Sequence, residues 1–335
     1  MEFSYFIGSD VSKNELDLVL LQGKEVVSHQ EIANTPAAVK AYVKGLYQLP
    51  GFALSKAVFC LEHTGIYNNH LLAYLHQIKA QVCLQAASQI KSSLGNMRGK
   101  SDKIDALRIA QYAYKNREEL RLWQPKREVV ERLSHLAASL SRLLAAQKLL
   151  ATPLREAAGF VSKSMVKENK QVCAKTLAAI QADLAKTDKA MEAIIQADEE
   201  LKRLFGLVSS VSGVGKVTAT QMLITTNEFK DITEAKKFAA YAGIAPYPHE
   251  SGLYKGKARV SHMANKKMKT LLHLAALSAI QFNADLKVFY ERKVNQQKKN
   301  KMSVINAVRN KLILRIFACV NQNRKYEKIY VKSVV

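Results

Sequence analysis

Four carboxylate residues stand at positions where acidic side chains are unusual. Asp10 ends the apolar run YFIGSD, and Glu62 ends the apolar run AVFCLE. Asp102 and Asp105 are three residues apart at the start of an expected helix, so they share one face of it. Because a bare acid is costly to bury, an acid that interrupts an apolar strand end indicates a specific use.

These acids suit a site for divalent cations. Residues at the carboxyl ends of neighbouring strands project to one edge of a sheet, where the acids of a helix can join them. Converging carboxylates repel one another and raise each other's pKa values, and a bound cation removes that repulsion. Magnesium (or manganese) prefers such oxygen ligands, and two ions about 3.5–4 Å apart would clamp a phosphodiester. The alternative is that each acid ends a strand, caps a helix or pairs with a lysine.

The first 120 residues alternate short apolar strands with amphipathic helices. Strands are expected over 3–12, 15–22, 26–33, 57–62 and 80–86. Helices are expected over 36–49, 65–79 and 101–116. The stretch 88–100 is expected to be a basic loop, in which Arg98 and Lys100 would contact nucleic acid. This order predicts a mixed α/β sheet.

The rest of the chain is mainly helical in pattern, which divides it into expected domains at 1–120, 121–205 and 206–335. Residues 121–205 predict two long helices, interrupted near Pro153 and Gly159, as a coiled coil or an ordinary bundle that serves as a linker or an oligomerisation arm. Residues 206–226 place a Gly-x-Gly turn between apolar helices, as in a helix-hairpin-helix. There the turn and the next helix N-terminus would receive a phosphate, at Gly213, Gly215 and Lys216.

The charge balance points to a polyanionic partner. The 335 residues include 51 Lys and Arg against 28 Asp and Glu, a formal net charge of +23. Residues 251–335 hold 19 basic and only 3 acidic side chains, on apolar helical faces, which predicts a folded surface that binds phosphates. The basic candidates around a Gly/Pro/Tyr-rich loop at 243–262 are Lys255, Lys257, Arg259, Lys266 and Lys267.

Other features exclude a membrane partner and a zinc site. No run reaches the ~18 consecutive apolar residues of a membrane-spanning helix, and the N-terminus does not resemble a signal peptide. The four cysteines have no Cys-x-x-Cys or Cys/His spacing, so buried free thiols are expected. We therefore expect a cytoplasmic, nucleoid-associated protein.

Four motifs in this order resemble the DEDD-type insertion-sequence transposases, the bridge-RNA-guided recombinases that also include a pilin-gene invertase. They are IGSDVSKNELDL, CLEHTGIYNNHLL, GKSDKIDALRIAQYA and GIAPYPHESGLYKGKARVSHMANKKMKTLL. The resemblance extends over nearly the whole chain. It implies a RuvC-like (RNase H-fold) domain, then a coiled coil, then a transposase domain of helix-hairpin-helix character.

The resemblance also implies roles for five residues. Asp10, Glu62, Asp102 and Asp105 match the metal-binding tetrad of the family, and Ser251 matches its nucleophilic serine. The implied reaction is DNA strand exchange through a covalent phosphoserine, with the metal site supplied by a partner subunit. The implied partners are donor and target DNA, a structured non-coding guide RNA, and further copies of the chain in a dimer or tetramer. From the residues alone, Ser251 is one serine among many.

Three other functions remain open at this point. A hydrolytic nuclease of the RuvC type, such as a junction resolvase, would use metal-activated water and no serine. A site-specific invertase would recognise DNA through protein alone. An architectural nucleic-acid-binding protein would bind without cleaving. We expect any of these to bind less tightly as salt rises, because Lys and Arg contacts to phosphates release counterions.

Overall fold

The chain folds into two compact units. The computed structural model describes residues 3–95, 99, 101–157 and 159–327. Its compact units are residues 1–125 and 126–335. The first boundary lies close to the expected one at residue 120. The helical segment after it shares a unit with the C-terminal segment, whereas the sequence pattern divided the two at residue 205.

The first unit is built on a mixed five-stranded sheet, which confirms the expected α/β class. The strand order is β3-β2-β1-β4-β5; β1, β2 and β3 are antiparallel, and β4 and β5 run parallel to β1. The strands are β1 (Tyr5–Val11), β2 (Glu15–Gln22), β3 (Glu25–Ala33), β4 (Ala57–Glu62) and β5 (Gln81–Gln85). The helices are α1 (Pro36–Leu46), α2 (Asn69–Gln77), α3 (Ala87–Leu94) and α4 (Asp102–Lys115).

Helices cover both faces of this sheet. Side chains alternate along β1, so that Ile7 packs in a cluster with α1 and α2, whereas Phe6 packs in a cluster with α4. Both side chains are fully buried. Because the central strands are covered on both sides, they read as nearly continuous apolar runs. An acid on either face therefore lies against a helix.

The stretch between β5 and α4 differs from the sequence-based expectation. Residues 87–94 form α3 and not a loop, and Ile90 of this helix is buried against the α4 side of the sheet. Gly95 ends the helix with φ +75. Arg98 and Lys100, the two expected nucleic-acid contacts of this stretch, lie outside the described residues.

The second unit is mainly helical. Its helices are α5 (Glu128–Ala157), α6 (Lys163–Ala197), α7 (Glu199–Ser209), α8 (Lys216–Thr226), α9 (Ala235–Tyr241), α10 (Lys266–Phe282), α11 (Ala284–Glu291) and α12 (Lys301–Asn321). The start of α5 packs against the end of α6, as Leu133 and Ile195 share one buried cluster, so the two helices are antiparallel. Helix α5 continues through Pro153 and ends at Ala157, and α6 begins at Lys163, so the expected interruption lies near Gly159 and not at Pro153.

A two-stranded hairpin is the only sheet structure among the described residues of this unit. Strands β6 (Pro246–Ser251) and β7 (Tyr254–Val260) pair antiparallel where the sequence predicted a loop. Every residue of β6 is exposed. The hairpin is therefore anchored by the helices at its two ends and not by a core of its own. Nowhere in residues 3–95, 101–157 or 159–327 does a helix have the length and apolar character to cross a membrane.

Candidate functional site

Two of the four acids lie side by side at the carboxyl ends of two neighbouring central strands. Asp10 follows Phe6 and Gly8 on the face of β1 that packs against α4, and Glu62 follows Cys60 on the same face of β4. The two strands are parallel neighbours, paired up to Ser9 and Leu61. Their carboxyl ends thus bring the two acids to one place, as the sequence predicted.

The other two acids reach this place because α4 lies unusually close to β1. The Ser101 Oγ accepts a hydrogen bond from the Ile104 N–H and fixes the start of the helix, with Asp102 and Asp105 in its first turn. Farther along α4 the residues facing the sheet are small. A Cβ on Gly8 would lie only 2.2 Å from the carbonyl oxygen of Ala106. Glycine on the strand and alanines on the helix make this approach possible.

The electrostatics show that the four acids are neighbours. Burial, followed by the charges of Asp105, Asp102 and Glu62 in that order, raises the pKa of Asp10 to about 6, against a backbone hydrogen bond from Val11 that lowers it. The ordinary value is 3.8. A shift of this kind is typical of carboxylates that share a site.

One basic side chain partly offsets this negative charge. Arg108 lies one turn after Asp105 on α4, and its Nη1 donates to the Asp105 Oδ1 at 2.7 Å. Its Nη2 donates to the Gly99 carbonyl oxygen at 2.9 Å, which ties the preceding loop to the acidic helix end. The sequence analysis did not single out this arginine, although its i,i+3 spacing from Asp105 is a recognisable signal.

The set of donors fits a hard divalent cation, which carboxylate oxygens bind best. In the part of the chain that the structure describes, however, no three His, Cys, Asp or Glu side chains are already close enough together to hold a metal ion. A cation would therefore draw the carboxylates inward.

We expect Asp10→Asn to stabilise the metal-free protein. The folded-state pKa of Asp10, about 6, lies above its ordinary 3.8, so ionised Asp10 opposes folding. Stability should fall as pH rises from about 4 to about 6 and stay low above that. Allowing for solvent screening, the gain at neutral pH is about 1–2 kcal/mol. Denaturation in a chelator, followed by the fluorescence of Trp123, the single tryptophan, measures it.

Asp17 supplies the matched control for this prediction. It pairs directly with Asp10 across β1 and β2, and its Oδ1 bonds to the Nε2 of His29 at 2.7 Å. Asp17→Asn should therefore destabilise the same unit, because it weakens a favourable contact. Equal destabilisation by both variants would contradict the repulsion argument. The sequence analysis missed Asp17, although it too interrupts an apolar strand.

Ser251 lies at the exposed tip of the β6–β7 hairpin. It pairs with Tyr254 across the two-residue turn formed by Gly252 and Leu253. Gly252 adopts φ +55, a conformation that favours glycine, and no atom lies within 4 Å of where its Cβ would be. An extended nucleic-acid backbone can therefore approach the serine hydroxyl without a side chain in the way.

The Gly-x-Gly turn has a packing role that the sequence did not reveal. Gly213 adopts φ +91, and a Cβ there would lie 2.5 Å from the Ala275 carbonyl oxygen of α10. Gly215 begins α8 with open space around it. Lys216 is already paired, because its Nζ bonds to the carboxylates of Asp188 and Glu192, each at 2.9 Å. The turn thus packs on α10, and its lysine is neutralised by α6.

The other basic candidates are exposed. Lys255, Lys257 and Arg259 lie on β7, and Lys255 stands opposite Glu250. Lys266 and Lys267 occupy the first turn of α10, which contains no acid, and burial lowers the pKa of Lys267. Cations at a helix N-terminus are unfavourable for the helix itself. Their presence there strengthens a positive field that suits phosphates.

Comparisons with known proteins match both units. A family profile of DEDD transposases of the IS110 type, described as "Transposase", matches residues 7–157. A second, described as "Transposase IS116/IS110/IS902 family", matches residues 206–291. The first match contains the four acids, and the second contains Ser251. The chain belongs to the IS110 family of transposases.

Similar proteins extend this family assignment over almost the whole chain. The pilin gene-inverting protein of Moraxella lacunata is 26% identical over 331 residues, which cover 96% of this chain and 98% of that protein. The protein of the same name from Moraxella bovis gives the same values. A 43.6 kDa protein of insertion element IS110 from Streptomyces coelicolor is 26% identical over 139 residues, 42% of this chain and 34% of that protein. As an IS110-family transposase, the chain is an enzyme that acts on DNA.

Proposed function

We propose that this transposase exchanges DNA strands of an insertion sequence under the guidance of a structured RNA, with Ser251 as nucleophile and with Asp10, Glu62, Asp102 and Asp105 as ligands of a divalent cation. The observation that supports it most is the convergence of the four acids from β1, β4 and α4, expressed in the raised pKa of Asp10. Acids so placed suit phosphodiester chemistry better than any structural role.

The acidic site has its own part in the reaction. Magnesium or manganese bound there would offset the charge that develops on a phosphate during transfer. The backbones that carry the carboxylates of β1 and β4 hold fixed positions, because their strands are buried on both faces. Those of α4 are oriented by the Ser101 cap and by Arg108. The protein thus presents oxygen ligands from a rigid sheet and from a helix end.

Ser251 would make the covalent step. Its Oγ forms a bond to phosphorus while the bond from phosphorus to a sugar oxygen breaks, and the released sugar oxygen leaves as a hydroxyl. The phosphoserine keeps the energy of the phosphodiester, so a hydroxyl of another strand can reverse the step and join the DNA. Lys255, Lys257 and Arg259 on the neighbouring strand place positive charge beside the phosphate.

RNA guidance and assembly complete the proposal. In a guided enzyme the protein holds phosphate backbones while base pairing reads the sequence, which fits a chain with a net charge of +23. Assembly into a dimer or tetramer is supported by apolar side chains left exposed on the helical arm. Leu149, Phe160 and Val172 expose 75%, 91% and 76% of their surface. Sequencing the nucleic acid that copurifies with the protein tests the guide directly.

We expect Ser251→Ala to abolish the covalent protein–DNA adduct and strand exchange while leaving DNA binding unchanged. The hydroxyl is exposed and makes no contribution to the core, so folding should be unaffected. The assay uses DNA spanning the two ends of the element that carries this gene, with the copurified RNA, and detects the adduct by denaturing electrophoresis. Ser303→Ala, an exposed serine in the first turn of α12, is the matched control.

The outcome distinguishes the remaining functions. Cleavage by Ser251→Ala without any adduct would favour a hydrolytic nuclease of the RuvC type. Full recombination after ribonuclease treatment would favour a protein-guided invertase, a function suggested by the similarity to the pilin gene-inverting proteins. Binding without cleavage, unchanged by Asp10→Ala, would leave an architectural role.

A further inference from the structure

One face of the β6–β7 hairpin carries other polar side chains besides that of the serine. Ser251 pairs with Tyr254 and His249 pairs with Gly256. Paired residues share a face of an antiparallel sheet, as do residues two apart on one strand. Ser251, His249 and Tyr254 therefore lie on the same face. Glu250 alternates to the opposite face.

The structure holds the His249 ring in a defined place. Its ring contacts that of Tyr254 edge to face, with centroids 6.2 Å apart and an interplanar angle of 84°. Gly256 opposite it leaves the necessary room. A Cβ there would lie 2.8 Å from the His249 carbonyl oxygen and 3.3 Å from its Nδ1. Glycine at this position of β7 is thus explained by the close approach of the His249 backbone, with the Tyr254 and His249 rings also near.

An irregularity in the strand pairing also bears on this residue. The register shifts between Tyr247 and His249, so β7 has one extra residue opposite Pro248. Bulges of this kind redirect side chains and are frequent next to active sites. Without this shift in register, His249 would stand opposite a different residue of β7.

We propose that His249 is the general base that removes the proton from Ser251. This inference rests on the proposed nucleophilic role of the serine. As the Oγ forms its bond to phosphorus, the proton of the hydroxyl passes to an imidazole nitrogen, and the departing sugar oxygen takes a proton from water. In the joining step a sugar hydroxyl of the other strand bonds to phosphorus and gives its proton to solvent, the bond between phosphorus and Oγ breaks, and the imidazolium returns its proton to the Oγ. A serine needs such a base, because its hydroxyl is a weak nucleophile.

The groups around His249 support this role. On its own face, Tyr254 packs against the ring through its aromatic edge, and on the other face Glu250 stands opposite Lys255. In the described part of the chain no carboxylate hydrogen-bonds to the ring. The imidazole is therefore exposed, oriented by packing, and free to exchange a proton.

The test compares adduct formation by the wild-type chain and its variants, with the DNA and RNA described above. In His249→Ala the rate should fall by about 100-fold or more, the usual scale of general base catalysis, with DNA affinity unchanged. Added imidazole should restore part of the rate. The pH dependence of the wild-type rate should differ from that of His249→Ala.

Two further variants distinguish the possible causes of a lower rate of adduct formation in His249→Ala. Gly256→Ala displaces the ring and should slow the reaction, whereas Tyr254→Phe keeps the packing and should react normally. His262→Ala, an exposed histidine just after the hairpin, is the matched control. A wild-type rate in His249→Ala, beside an inactive Ser251→Ala, would overturn the inference but not the serine role. A loss in His249→Ala that imidazole leaves unrestored, or a comparable loss in Tyr254→Phe, would also overturn it. An active Ser251→Ala would remove the proposed function itself.

Discussion

Gly8→Ala is expected to destabilise the first unit by about 3 kcal/mol, through forced overpacking. The added Cβ would lie 2.2 Å from the Ala106 carbonyl oxygen and 2.3 Å from the Ala110 nitrogen. Both are backbone atoms of α4, so no side chain can rotate away. The helix must move outward, and Asp102 and Asp105 move with it. Denaturant unfolding monitored by Trp123 fluorescence measures the loss, because this tryptophan packs against the core of the same unit.

The matched control for this variant is another glycine of the same unit. Gly45 lies within α1, with no atom within 4 Å of its potential Cβ. Gly45→Ala should stabilise by about 0.5–1 kcal/mol, because alanine loses less conformational freedom in a helix. If Gly8→Ala unfolds at the wild-type denaturant concentration, the close approach of β1 and α4 is wrong. The arrangement of the four acids would be in doubt as well.

Arg127→Met is expected to cost the second unit about 3–5 kcal/mol, because it leaves a buried carboxylate without its main partner. The guanidinium bonds to both oxygens of Asp198, at 2.8 and 2.9 Å, and to both oxygens of Glu228. The Glu228 side chain is completely buried and has one other ion pair, with Lys230. Burial raises the pKa of Glu228, but hydrogen bonds from Arg127 and Lys230 outweigh it and keep that pKa below its ordinary value.

The backbone conformation around Glu228 makes the ion pair with Arg127 more important for stability. Asn227, Glu228 and Phe229 have φ of +50, +58 and +62, a conformation that costs non-glycine residues roughly 1–2 kcal/mol each. The ion pairs of Glu228 and the burial of Phe229 hold this turn in place. Lowering the pH should also weaken the ion pairs of Arg127. The bond to Arg127 lowers the pKa of Asp198 to about 2, so its contribution to stability is lost as pH falls from about 4 to about 2.

An exposed ion pair provides the comparison for Arg127. Arg203 bonds to both oxygens of Glu200 in α7, with about 40% of both side chains exposed. Arg203→Met should change stability by less than about 1 kcal/mol. Circular dichroism at the helical wavelength measures both variants, since the second unit contains most of the helix. If both variants lose the same stability, the buried network contributes no more than an exposed ion pair.

The sequence predicted the parts of the fold that local pattern controls. The strand boundaries at Glu15–Gln22 and Ala57–Glu62 were correct, because apolar runs bounded by polar residues define buried strands. The four acids were recognised as one set, since Asp10 and Glu62 interrupt apolar strand ends and Asp102 and Asp105 share one helix face. Their proximity depends on Gly8 and the alanines of α4, which a pattern search does not connect.

The features that escaped prediction depend on contacts distant in sequence. The ion pairs of Lys216 with α6, more than twenty residues earlier, were not foreseen, and its phosphate contact stays a prediction. The hairpin was interpreted as a loop because Pro246, Pro248 and its glycines are typical of turns, and its exposed strands lack an apolar face. The partners of Arg127 lie 71 and 101 residues away along the chain.

Under the proposed mechanism, the exposed turn that carries Ser251 has a consequence for the host genome. An isolated serine hydroxyl is a weak nucleophile, so a free subunit would leave random duplexes intact. Breakage would require bound strands and further subunits around that turn, and damage would be confined to sites where the whole complex assembles.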